Sequence, residues 1–290
     1  MKLSSWLSFI AAVFFVTPLA AQQNLPKSTQ EHFAASARVE ALTLGNLKTV
    51  LSKAQSGDCE PQYLLGLIYE RGLLVPRDFS ATKSWMLKSA EQGYVPAQEA
   101  MGEMYLINVR DNGPIRDYGD ADRWLRLAAT QGNADAQFWL GTGYERGWFG
   151  TIDYREALKW LRKAADQGLP NAQLSLGQMY EDGEGVRESD SLAASWYRKA
   201  ADHFSGVGGV WEAEVQLAYL YRDGRLGKDY TQAYMWFAIV SSSAVPPDDY
   251  DVKQAARHMT KAQITQAQRM AADWIKRHTA KPVDLVQAKR

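Results

Sequence analysis

The 290-residue chain contains a single cysteine, Cys59. No intramolecular disulfide can form, so the fold must rest on packing alone. A lone thiol in an exported protein is a reactive group or a small core filler, and the filler reading is expected here. Histidine is almost as scarce, with only His32, His203, His258 and His278. None stands four residues from another and no His-Glu-x-x-His occurs, so no zinc site is expected. Neither sign of charge dominates, with 33 basic against 33 acidic residues. No global field steers the chain toward nucleic acid or an anionic membrane. The glycine-rich stretches 182–185 and 205–209 lack the Lys-Ser/Thr that completes a phosphate loop, and no cofactor is expected. Apolar residues still reach 46%, enough for a continuous core.

One largely apolar stretch stands at the start of the chain. Residues 6–16 are apolar except Ser8, with Lys2 before them and Pro18 and Ala20-Ala21 after. This is the layout of a secretory signal peptide. The run is shorter than the ~20 residues of a transmembrane span. No Cys follows it, so a lipid anchor is not expected. Cleavage after Ala20 or Ala21 would deliver a periplasmic or secreted protein with no transmembrane span.

The chain is rich in tryptophan, and its tryptophans recur. Trp85-Met-Leu-Lys-Ser-Ala-Glu-Gln-Gly93, Trp124-Leu-Arg-Leu-Ala-Ala-Thr-Gln-Gly132, Trp160-Leu-Arg-Lys-Ala-Ala-Asp-Gln-Gly168 and Trp196-Tyr-Arg-Lys-Ala-Ala-Asp202 are variants of one block, and Trp236 falls where the next is due. The spacings are 39, 36, 36 and 40 residues. A period of this length is the mark of a stacked repeat array. Other columns keep the same register. Gln62, Gln98, Gln137, Gln173 and Glu214 precede Gly66, Gly102, Gly141, Gly177 and Ala218, and Tyr69, Tyr105, Tyr144, Tyr180 and Tyr221 follow. Their helical spacing predicts a helix A in each unit. A mid-helix glycine costs about 1 kcal/mol against alanine, so a neighbouring helix is expected to pass close by. Gly72, Gly147, Gly183 and Gly224, with Asn108 in the second unit, are expected to stop helix A. Asp78, Asp117, Asp153, Ser189 and Asp229 are expected to cap a helix B that carries each Trp, the Trp plugging between successive units.

The pattern small-Gln-x-x-Leu-Gly-x-x-Tyr-x-x-Gly, then Asp, Ala, Trp, Lys-Ala-Ala and Gly, closely resembles the Sel-1-like repeat, a relative of the tetratricopeptide repeat. The resemblance implies an all-α, right-handed α-solenoid of stacked antiparallel helix pairs. It divides the chain into a signal peptide (1–21), an N-terminal segment with a degenerate capping helix (22–56), the repeats (57–244) and a C-terminal capping helix with a tail (245–290). Residues 47–57 echo helix B without its Trp. Thr260-Lys-Ala-Gln263 matches a capping box, opening a helix whose stripe Ile264, Ala267, Met270, Ala271, Trp274 and Ile275 should cover the last unit. Residues 22–31 and 278–290 read as disordered.

In such stacks helix A lines a concave groove, and its variable positions carry specificity. Those positions include Leu64, Leu67, Arg71, Glu103, Trp139, Thr142, Arg146, Gln178, Asp182, Gln216, Tyr219 and Asp223. They share one helix face and mix the Trp, Tyr and Arg that anchor protein interfaces. The expected function is that of a non-catalytic exported scaffold for a protein or peptide partner, the alternative being a cell-envelope glycan or peptidoglycan module. A third reading is a β-lactam hydrolase, since Ser80-Ala-Thr-Lys83 matches Ser-x-x-Lys. It lacks the Lys-Thr-Gly and Ser-Asp-Asn partner motifs, and the Cys pairs of the family's hydrolase-like members are missing.

Overall fold

A computed structural model describes residues 25–42, 44–107, 117–202, 211–242 and 250–279. Among these residues every regular element is a helix, as an all-α repeat fold requires. The chain forms two compact units, Pro26–Gln167 and a second from Gly168 onward.

The first unit opens with α1 (Lys27–Glu40) and α2 (Leu44–Gln55). Helix pairs follow: α3 (Cys59–Arg71) with α4 (Phe79–Glu91), α5 (Val95–Ile107) with α6 (Tyr118–Thr130), and α7 (Ala134–Glu145) with α8 (Tyr154–Asp166). The second unit pairs α9 (Pro170–Asp182) with α10 (Asp190–Ala201) and α11 (Trp211–Arg222) with α12 (Tyr230–Ser241). It closes with α13 (Tyr250–Ala256) and α14 (Lys261–Thr279), both packed on α12.

Each B helix begins as its side chains dictate. Asp78 accepts from the Ala81 amide at 2.9 Å, and Asp153 from Arg155 and Glu156 at 3.0 and 3.1 Å. Asp117, Ser189 and Asp229 cap in the same manner. The loops before these caps differ in length and sequence, yet all close on one bond. The amide of each capping residue donates to the carbonyl of the helix A tyrosine, from Asp78 to Tyr69 at 3.1 Å and from Ser189 to Tyr180 at 2.8 Å. Helix A itself ends on left-handed backbone at Gly72 and Gly183, with φ of 68° and 71°. Asn108 lies outside the described residues.

The mid-helix glycines are close-approach points. A Cβ on Gly102 would lie 2.5 Å from the Leu125 side chain, one on Gly141 2.5 Å from Leu161, and one on Gly177 2.3 Å from the Tyr197 ring. The intruding residue is always the one that follows the Trp of helix B. The Trp rings pack as expected of plugs: Trp124 is buried in the cluster holding Tyr63, Leu65 and Met101, and Trp160 in the one holding Leu125 and Ala128. Lys88, Lys163 and Lys199 lie over Trp85, Trp160 and Trp196 at 4.3, 4.4 and 3.7 Å. The second repeat has Leu127 in that column, and Arg123 covers Trp124 instead, at 5.1 Å.

The glutamine column forms a polar seam inside the first unit. Gln62, Gln98 and Gln137 donate to the carbonyls of Ala54, Ala90 and Ala129 at 3.0–3.2 Å. Gln92, Gln131 and Gln167 donate in turn to their side-chain oxygens, each at 2.7 Å. Where Glu214 replaces glutamine, the carboxyl is 1% exposed and without a hydrogen-bond partner among the described residues. Burial pushes its pKa up to about 8.

The flanks depart from expectation in part. α2 packs on α3 as the half repeat it resembles. The capping box forms: the Thr260 amide donates to Gln263 Oε1 at 2.8 Å, and the Gln263 amide to Thr260 Oγ1 at 3.3 Å. Trp274 of α14 meets Trp236 edge to face at 5.6 Å. The expected disorder of residues 22–31 does not hold from Lys27 onward, where α1 begins. Packing on the A helices α3, α5 and α7 stabilises this helix. At the other end α14 runs to Thr279, and residues 280–290 lie outside the described set. Cys59 is half-buried at the first position of α3, less enclosed than a core filler.

Candidate functional site: the variable face of the A helices

In the first unit the variable positions of α3, α5 and α7 do converge, but they are not an empty surface. α1 packs on all three A helices. Leu64 and Leu67 are 4% and 2% exposed and share a core cluster with Ala35 and Val39 of α1. Arg71 donates to Ser36 Oγ at 2.7 Å and to Glu40 at 3.0 Å. The Tyr63 hydroxyl lies 3.2 Å from His32 Nδ1. Burial, with Arg71 nearby, lowers the His32 pKa to about 4, so this ring is neutral at pH 7.

Beneath α1 lie carboxyl groups. Trp139 Nε1 donates to Glu103 Oε1 at 2.5 Å, uniting two expected site residues. Burial drives the Glu103 pKa up to about 7, against the opposing pull of the indole bond. Glu99 is raised well above the ordinary carboxylate range by burial and by Glu103 beside it. Asp135 is also raised by burial, partly offset by the hydroxyls of Thr29 and Ser28, which donate to it at 2.7 and 3.2 Å. Among the described residues no cluster of His, Cys, Asp and Glu is arranged to hold a metal ion. Thr142 is buried, since helix packing takes the position expected on the open face. Arg146 is exposed at the end of α7, its guanidinium 5.7 Å from the Trp148 ring.

In the second unit the face is more open. Asp182 is exposed, and Gln178 donates to Glu212 at 3.3 Å. Asp223 pairs with Arg222 at 2.7 Å. Tyr219 donates to Asp251 of α13 at 3.2 Å and lies 4.5 Å below the Arg222 guanidinium. Gln216 is half-buried.

Sequence reasoning missed Glu99, Asp135 and α1. Glu99 had a signal, because its column holds Tyr63, Phe138, Leu174 and Val215 in the other repeats. An acid in an apolar column needs a local explanation. Of the Ser80-x-x-Lys83 pair, Ser80 is exposed, and the Lys83 ammonium sits over the Tyr105 ring at 4.5 Å.

The Sel1 repeat family model matches residues 62–94, 95–133, 134–169, 170–203 and 211–239. This chain belongs to the Sel1 repeat family. A solved Sel1 repeat protein from Oxalobacter formigenes is similar at 30% identity and a TM-score of 0.61, covering 78% of this chain and 65% of that one. The structure of c5321, described as a protective antigen present in uropathogenic Escherichia coli strains and displaying an SLR fold, is similar at 26% identity and a TM-score of 0.50. It covers 80% of this chain and 56% of that one. The chain thus spans about three fifths of the length of these relatives. No curated protein matches the chain significantly. Sel1 repeat proteins typically serve as protein-interaction scaffolds. Among the described residues no helix is long and apolar enough to cross a membrane.

Proposed function

We propose that the chain is an exported, non-catalytic scaffold that binds a protein or peptide in the groove lined by the variable faces of its A helices. The observation that carries this reading is the seating of a helix on that face in the first unit, through polar anchors at Asp135 and Arg71. A surface that holds one helix by side-chain hydrogen bonds and a shallow apolar floor has the chemistry to hold another. Export rests on the apolar run at residues 6–16 behind Lys2. In-cell crosslinking of the tagged chain, followed by mass spectrometry, tests the function. Arg146→Glu in the first unit and Asp182→Lys in the second change exposed face residues without touching the core. The expected result is a partner captured by the unaltered chain and lost at least ten-fold in one variant of unchanged helicity. Equal capture by all three proteins would place binding elsewhere.

A further inference from the structure

Helix α1 lies outside the repeat pattern, yet it occupies the face that the repeats leave for a partner. Its anchors fall in one stripe. Ser28 and Thr29 donate to Asp135, and Ser28 Oγ also accepts from the Ala134 amide at 3.1 Å. One turn on, His32 meets Tyr63. Further along, Ala35 and Val39 are buried, and Ser36 and Glu40 receive Arg71. This recurrence every three or four residues is a single helical face. The other side of α1, at Gln30, Glu31, Ala34 and Ala37, is exposed. Attachment is therefore one-sided, through buried Ala35 and Val39 and the polar anchors, while the repeats beneath hold together through their own Trp plugs and glutamine seam.

We infer that α1 is a cis ligand seated on α3, α5 and α7, and that the partner of this face is an amphipathic helix with the same anchors, which must displace it. This deepens the scaffold reading above and rests on it. The seat fixes the partner's chemistry. It is a helix of 14 residues, roughly 21 Å long at 1.5 Å per residue. Its first turn presents hydroxyl donors to Asp135, its middle presents small or β-branched apolar residues to Leu64 and Leu67, and its last turn presents an acid to Arg71.

The test uses the full chain with the double substitution Ala35→Asp and Val39→Asp, which places charges in the buried stripe of α1 and leaves the repeats unaltered. The probe is a fluorescent peptide with the sequence of residues 26–41. A tethered helix competes at an effective concentration on the order of millimolar. The unaltered chain should bind the peptide at least ten-fold more weakly than the variant. A variant of normal helicity and melting temperature that fails to bind the peptide would overturn the inference. Hydrogen exchange on the unaltered chain gives a second readout that does not depend on the variant folding. Amides of α1 should exchange at least ten-fold faster than those of α5 and α7, and exchange in step with them would make α1 a fixed part of the fold. A dimer with exchanged α1 helices would also overturn the cis arrangement. Peptide binding without any cellular partner would leave α1 displaceable and remove the scaffold function. Partner capture with α1 fixed would do the reverse.

Discussion

At the scale of the residue, the repeat columns place sharp demands on single side chains. Gly177 is the tightest of the mid-helix positions named above, with the Tyr197 ring where a Cβ would stand. Gly177→Ala gains about 1 kcal/mol of helix propensity but must push an aromatic ring out of a packed core, at a cost of about 1–3 kcal/mol. A net loss of about 1 kcal/mol is expected in denaturant melts. Stabilisation would show that the ring can yield. Glu214 makes the opposite case. Its folded-state pKa of about 8 lies above the unfolded value, because burial penalises the carboxylate. The stability of the protonated form is therefore fully present below about pH 4.5 and is lost as pH rises toward 8. Glu214→Gln restores the residue of the other repeats. It should stabilise the chain by about 3 kcal/mol at pH 7 and by almost nothing at pH 4. A pH-independent difference in melting temperature would contradict that origin. The close approach at the glycines was legible from their recurrence. The residue that makes it, one after each Trp, was not, because that column mixes Met86, Leu125, Leu161 and Tyr197, which differ in size and shape.

At the scale of the element, most of the fold could be read directly from the sequence. Five repeats write each rule several times, so noise in one unit is corrected by the others. The caps are an instance. Asp153 satisfies two amides at 3.0 and 3.1 Å, whereas Ser189 reaches one at 3.4 Å. Asp153→Ala should cost about 1 kcal/mol, and Ser189→Ala less, in thermal melts followed by circular dichroism. Equal costs would mean that loop closure on Tyr144 and Tyr180, and not the caps, sets where these helices start. Helix α1 was illegible for the converse reason. It occurs once, so no column supports it, and its stripe of Ser28, His32, Ala35 and Val39 is too polar to mark a core face. The environment of Asp135 follows from it. Asp135 on α7 is an ordinary first-turn acid in the sequence and becomes half-buried where the Ser28 and Thr29 hydroxyls meet it.

At the scale of the whole molecule, the sequence places the repeats in a row but cannot say which part of the A-helix surface is already occupied. In the first unit that surface holds α1, and in the second Tyr219 is engaged by Asp251 while Asp182 stays exposed. Under the proposed scaffold function, a partner would therefore meet two faces of different availability, each with its own chemistry. The measurement that bears most directly on this is site-specific photocrosslinking in cells. A photoreactive residue is placed at Arg146 or Asp182 on the A-helix side, or at Arg162, exposed on helix α8. Adducts with one discrete partner from position 146 or 182, and none from 162, are the expected result. Adducts from 162 alone would contradict the assignment of the A-helix face as the binding surface.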